Sequence, residues 1–190
     1  MILESIVTTR SRSGETNLAP MGPLFDGNDD RFELRPFPGS QTLANLIETR
    51  QGVLHVTDDV GIYAKAVTGQ LDPLPPMIDA TVIEGQVLAD TCRWYEFEVT
   101  FIQPTSHRTS VDCQVVHSGG MRDFFGFNRA KAMVIEAGGS HADAAAAAVA
   151  AQKVARTERI EAQYSHIESA SSHAVVITGS YTHLTLPTKA

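Results

Sequence analysis

Apolar and polar residues alternate through most of the first 120 positions, then give way to helical spacing. Ile2 to Arg10 carries a strand pattern, with Ile6-Val7-Thr8-Thr9 rich in β-branched residues. Ser13-Gly14 marks a turn within Ser11 to Glu15, and Thr16 to Met21 returns as a second strand. Pro20 cannot donate to a ladder, so this strand is expected at a sheet edge, a bulge or an opening. Phe32 to Phe37 is a third strand, Val53 to Thr57 a short buried one, and Thr81 to Leu88 is strand-like. In Thr91 to Gln103 the pattern puts Tyr95, Phe97, Val99 and Phe101 on one face. Val111, Cys113 and Val115 alternate likewise in Thr109 to His117.

Two short helices are expected between these strands. Pro38-Gly39 is turn chemistry, Ser40 is a favoured N-cap, and Leu43, Leu46 and Ile47 follow at helical spacing, giving a helix over Ser40 to Arg50. Its first turn offers Ser40, Gln41, Thr42 and Asn45 and no acid, which suits an anion as well as a plain cap. Asp58-Asp59 caps a second helix through Ile62 to Val67. The proline-rich Gln70 to Asp79 reads as a loop. About six strands in hairpins, with no repeated βαβ unit, fit a small antiparallel barrel better than a doubly wound sheet.

Ser118-Gly119-Gly120 is expected to end the sheet region. Asn128 then caps a helix over Arg129 to Ala137, which Gly138-Gly139 breaks. Ser140 with Asp143 starts an alanine-rich helix to about Arg156, and Ile160, Tyr164 and Ile167 continue a helical stripe. The expected division is a barrel over 1–122, a helical extension over 123–179, and a tail over 180–190 that matches nothing before it. That tail reads like a translated sequencing adapter, so the natural chain is expected to continue differently after about Gly179.

Composition narrows the chemistry. The 190 residues suit one domain with a substantial core, or a domain plus an extension, and 43% apolar with 19% charged residues describes a globular protein. A net charge of -7 with 15 scattered basic residues argues against nucleic acid as partner. The longest apolar run, Ala144 to Ala151, is too short to span a membrane, and the N-terminus lacks a signal-peptide pattern, so a cytoplasmic location is expected. Cys92 and Cys113 make no C-x-x-C pair and read as small buried residues. The seven histidines show no metal-ligand spacing.

Five segments together resemble the flavin-binding split barrels, in the branch called domain of unknown function 447. They are Glu4 to Arg10, Thr16-Asn17-Leu18-Ala19-Pro20-Met21-Gly22, Gly39 to Leu46, Val53-Leu54-His55-Val56-Thr57-Asp58-Asp59, and Asn128 to Ala137. The resemblance implies an α+β fold: a six-stranded antiparallel Greek-key split β-barrel of FMN-binding type, here with a C-terminal helical extension. It also implies a homodimer holding FMN non-covalently. The segment from Thr16 and Asn17 through Leu18, Ala19 and Met21 would run past the isoalloxazine ring, and Ser40, Gln41, Thr42 and Asn45 would hold the phosphate. Arg10 and Arg129 are candidate phosphate or substrate contacts, although surface arginines more often are neither. His55 departs from the family pattern, which usually has Asn there, and Gly138-Gly139-Ser140 interrupts a longer helix.

The resemblance implies an oxidoreductase acting on a small molecule, with a family association suggesting a pterin-related one. FMN would supply the hydride chemistry and the protein orientation and shielding, so no nucleophile is needed. A non-catalytic FMN carrier, or a structural dimer that has lost its flavin, are the alternatives. No metal, nucleic acid or membrane is called for.

Overall fold

In the computed structural model, which describes residues 2–27, 29–105 and 107–139, the β-branched run at the start of the chain forms β1 (Ser5–Arg10). It pairs along its whole length with β2 (Thr16–Met21), from Ser5 opposite Met21 to Arg10 opposite Thr16. The expectations for residues 140–190, including the alanine-rich helix and the tail, lie outside the described residues.

The remaining strands are β3 (Leu24–Phe25), β4 (Arg31–Leu34), β5 (Gln51–Val56), β6 (Met77–Asp79), β7 (Gln86–Leu88), β8 (Arg93–Pro104) and β9 (Thr109–Gly120). Seven of them form one antiparallel sheet in the order β2-β1-β5-β8-β9-β4-β3, while β6 and β7 pair separately. At the far end the sheet turns back on itself: Ile2 bridges Leu24, and the Leu3 N–H donates to the Pro23 carbonyl at 3.2 Å. Among the described residues β2 pairs only with β1, so Pro20 sits on the edge strand where its missing N–H costs no ladder bond. The result is a curled antiparallel split barrel, with seven strands in the main sheet against the six expected.

Its interior is filled by Val7, Phe32, Leu34, Leu54, Phe97 and Val111 with their neighbours, under α1 (Gln41–Thr49), which contributes Leu43 and Leu46. On the opposite face α2 (Val60–Val67) buries Ile62 and Tyr63 against Ile6, Leu18 and Leu88. Both helices start on the expected caps. Ser40 Oγ accepts from the Leu43 N–H at 3.3 Å, and Asp59 Oδ1 from the Gly61 N–H at 2.8 Å. A third helix, α3 (Arg129–Gly139), starts on Asn128, whose Oδ1 accepts from the Lys131 N–H at 2.9 Å. It runs through Gly138 and Gly139 where a break was expected. Among the described residues no helix is long and apolar enough to cross a membrane.

Several element boundaries differ from the pattern, each for a local reason. The third strand stops at Leu34, because Pro36 and Pro38 follow and neither can donate. Met77–Asp79, expected in a loop, pairs as β6 with β7. Thr81 to Ile83 is not strand: the N–H groups of Thr81, Val82 and Ile83 all turn to the buried carboxylate of Glu96, at 2.7, 2.7 and 3.2 Å. Phe101, expected beside Val99, is 57% exposed, because a β-bulge between Val99 and Phe101 moves it outward and brings Ile102 against the core. Finally, β9 does not end at His117 but runs through Ser118 and carries Gly119 and Gly120 as partners of Trp94 and Arg93. A Cβ at Gly119 would collide with the Trp94 ring, so glycine is what lets the sheet continue there.

Cys92 and Cys113 are both buried free thiols, as their strand-like surroundings suggested. His55 is fully buried and joins three strands. Its Nε2 accepts from the Leu88 N–H at 3.1 Å, which places the proton on Nδ1 for donation to the Ile6 carbonyl, also 3.1 Å away. Burial pushes its pKa down to about 4, against a smaller upward pull from that carbonyl. The native state therefore refuses a proton that the unfolded chain accepts below about 6.5. Stability is expected to be level above pH 6.5 and to fall by about 3 kcal/mol on acidification towards pH 4. Urea unfolding at a series of pH values, for wild type and His55→Asn, isolates this slope. A variant that keeps it would assign the acid sensitivity to other groups.

Candidate functional site

β2 and the start of α1 come together at one corner of the barrel, and side chains rather than backbone join them. Asn17 Nδ2 donates to Thr42 Oγ1 at 3.0 Å. One turn on, Asn45 Nδ2 donates to Thr9 Oγ1 at 3.0 Å, and Gln41 Nε2 to Asn45 Oδ1 at 2.7 Å. Thr42 and Asn45 are almost completely buried, so these bonds satisfy amides and hydroxyls with little access to water. The loop into the helix turns on Gly39, at φ +79°, and the Ser40 N–H closes that turn on the Phe37 carbonyl at 3.1 Å.

The start of α1 keeps capacity for a ligand. Ser40 Oγ and Thr42 Oγ1 each accept one bond, leaving each hydroxyl proton to be donated. The N–H groups of Gln41 and Thr42 have no partner among the described residues, and no acid occupies the first turn. The arrangement can receive an anion on two backbone N–H groups and two hydroxyls.

Of the eleven sequence-predicted residues, the structure brings Asn17, Ser40, Gln41, Thr42 and Asn45 into this corner. Thr16 and Ala19 lie along the half-buried edge strand. Leu18 points to the opposite face and packs under α2, while Met21 packs against the barrel interior with its carbonyl accepting from Ser5 Oγ at 2.7 Å. Arg10 is not part of the corner: its Nε donates to the Gly14 carbonyl at 3.3 Å and steadies the β1–β2 turn. Arg129 is exposed at the start of α3.

Two features escaped the sequence reading. One is a cleft of about 580 Å³ floored by Phe25, Val56 and Tyr95. The other is an ion-pair cluster at its border. Arg122 Nη2 lies 2.6 Å from Asp58 Oδ1 and its Nε 2.7 Å from Asp90 Oδ1, with Lys131 Nζ 3.9 Å from Asp58 Oδ2. Burial raises the Asp58 pKa, but Arg122 and Lys131 outweigh it and hold the carboxyl below its ordinary value. The cluster ties the start of α2 to the segment after β9 and to α3. Asp58 and Arg122 are 64 positions apart, and no local pattern links them.

A sequence-family model described as "protein of unknown function (DUF447) N-terminal domain" matches residues 3–122. Among solved structures, an FMN-bound protein from Methanosarcina mazei assigned to DUF447 is similar at 23% identity and a TM-score of 0.61, over 72% of this chain and 72% of that one. The 2-nitrobenzoate 2-nitroreductase of Pseudomonas fluorescens is similar at 20% identity and a TM-score of 0.55, over 62% of this chain and 64% of that one, just under two thirds of its length. An FMN-binding protein from Thermus thermophilus with bound 1-cyclohex-2-enone follows at 13% identity and a TM-score of 0.52, over 62% and 70%. At these identities the likeness is one of fold. No curated protein matches.

Proposed function

The chain belongs to the DUF447 family, and from that premise we propose that it is a non-covalent FMN flavoprotein, an oxidoreductase acting on a small molecule. One observation carries this reading: the edge strand and the helix start expected to flank the flavin are tied together at a single corner by the Asn17–Thr42 hydrogen bond. The free edge of β2 supplies backbone donors and acceptors for a flat heterocycle, and the start of α1 supplies donors for its phosphate. The residues present fit the group. Bound there, FMN supplies hydride transfer. The chain's part is to orient the ring along β2 and to hold the phosphate by hydrogen bonds from the start of α1.

The test is a titration of the purified protein with FMN and with riboflavin, read by flavin absorbance and fluorescence. Saturable FMN binding, with riboflavin weaker by at least about tenfold, is expected where a phosphate site contributes. Absence of saturable FMN binding would sink the proposal. Bleaching of the bound flavin by NADH, NADPH or a reduced pterin then separates an oxidoreductase from a carrier.

The same reading includes a homodimer. Among the described residues no strand covers the outer edge of β2, and Phe124, Phe125 and Phe127 are exposed after β9, Phe125 at 96%. Sedimentation at micromolar concentration is expected to give twice the chain mass of 20.5 kDa. A monomer with FMN bound would refute the assembly and leave the flavin site standing.

A further inference from the structure

The 580 Å³ cleft has the size of a small-molecule site and lies apart from the phosphate corner at α1. Its floor is aromatic and aliphatic. Phe25 and Tyr95 stand tilted, with ring centroids 6.2 Å apart, between Leu3 and Val56, and Phe124 sits on the rim, 46% exposed. Such walls favour a flat apolar body.

The charges on the rim choose among flat molecules. Two cations, Arg93 and Arg122, face two anions, Asp29 and Asp123. Arg122 is already held by Asp58 and Asp90, leaving Arg93, which hydrogen-bonds the Tyr95 side chain and has Asp29 close enough to act on it more weakly. An anionic ligand would therefore gain one exposed cation and meet two carboxylates, a poor exchange for its lost hydration. What Arg93 and the adjacent Tyr95 hydroxyl do offer is hydrogen-bond donors to an uncharged acceptor.

The position of the cleft gives it a role. Met21, the last residue of β2, packs into the same apolar cluster as Leu3, Phe25, Val56 and Tyr95. The chain just after it is tied to the N-terminal residues by the Ile2–Leu24 bridge and the Leu3–Pro23 hydrogen bond, next to the lining residues Leu3 and Phe25. We propose that this cleft is the substrate site, and that it takes a small, planar, uncharged molecule whose acceptor oxygen faces Arg93 and Tyr95. The substrate role rests on the flavin reading above, in which the ring lies along Asn17 to Met21.

Benzamide, benzoate and cyclohexanecarboxamide, titrated calorimetrically into the FMN-loaded protein, test flatness and charge together. Benzamide is expected to bind at least about tenfold more tightly than the other two and to shift the visible flavin band. Val56→Trp, which fills the floor, and Arg93→Leu, at an exposed position that spares the core, should each weaken benzamide at least about tenfold. FMN affinity should stay within about twofold in both. No benzamide binding, equal binding of benzamide and benzoate, or indifference to both substitutions overturns the site. Benzamide binding with no change in the flavin band overturns the substrate role. A protein that takes no FMN fails the flavin reading instead, and the same calorimetric series on it still decides the cleft.

Discussion

Glu96→Leu should lower the unfolding free energy by about 4 kcal/mol and the melting temperature by about 10 °C. The carboxylate is fully buried and accepts four hydrogen bonds: three from the N–H groups of Thr81, Val82 and Ile83, and one from Trp94 Nε1 at 3.3 Å. Hydrogen bonds to a charged group contribute roughly 1.5–3 kcal/mol each, and removing the acceptor strands the donors. Thr81 and Val82 are exposed and recover water, whereas Ile83 is buried and does not, which keeps the figure below the full sum. Desolvation pulls the Glu96 pKa up, and the four donors together pull it further down, leaving it below its ordinary value. A depressed carboxyl stabilises the fold above its unfolded pKa, and that contribution is lost as pH falls through the lower folded value. Urea unfolding at neutral pH measures the effect. A loss under about 1 kcal/mol would mean that the attractions merely offset the cost of burying the charge.

The double substitution Ser40→Ala with Thr42→Ala should weaken FMN binding by at least about tenfold. Both hydroxyl protons at the start of α1 disappear, and so does the acceptor for Asn17 Nδ2, which fastens β2 to the helix. Riboflavin, which lacks the phosphate, serves as the control. Its affinity should change little if the hydroxyls act on the phosphate, and should fall in step with FMN if the loss comes from β2 working loose. The cap itself costs about 1 kcal/mol of stability, visible as a small fall in melting temperature without ligand. Unchanged FMN affinity would leave Ser40 as a helix cap and nothing more.

What was legible in the sequence was local. Ser40, Asp59 and Asn128 cap their helices because a capping side chain reaches only two or three residues ahead, within the span a pattern covers. Pro20 announced its edge because a missing N–H is a property of one residue. Thr81 to Ile83 misled because its β-branched residues are good strand formers, while the carboxylate that captures their N–H groups comes from another hairpin. Phe101 misled because strict alternation assumes an unbroken ladder, and bulges leave no compositional mark at Thr100. The Asn17–Thr42 and Asp58–Arg122 bonds join distant segments, so the first needed the family resemblance to be anticipated and the second was not anticipated at all. The cleft is assembled from six separate stretches of chain and had no linear signature.

The two irregularities in the β8–β9 hairpin have a combined meaning that neither has alone. Between Glu96 and Phe97 the extra residue is Val116, on β9; between Val99 and Phe101 it is Thr100, on β8. Each advances the pairing by one position, in opposite senses, so the hairpin leaves phase for its middle third and then regains it. Arg93–Gly120 at one end and Pro104–Thr109 at the other belong to one continuous count, while Phe97–Val115 and Val99–Cys113 are a step out. The ribbon thus behaves like a vernier. It delivers Arg93 and Tyr95 to the cleft at one tip. At the other, the connecting turn holds Arg108, stacked 3.4 Å over Phe37 in the loop that leads to α1. Removing one of the two bulge residues alone would leave the offset uncancelled, so that only one tip kept its present register.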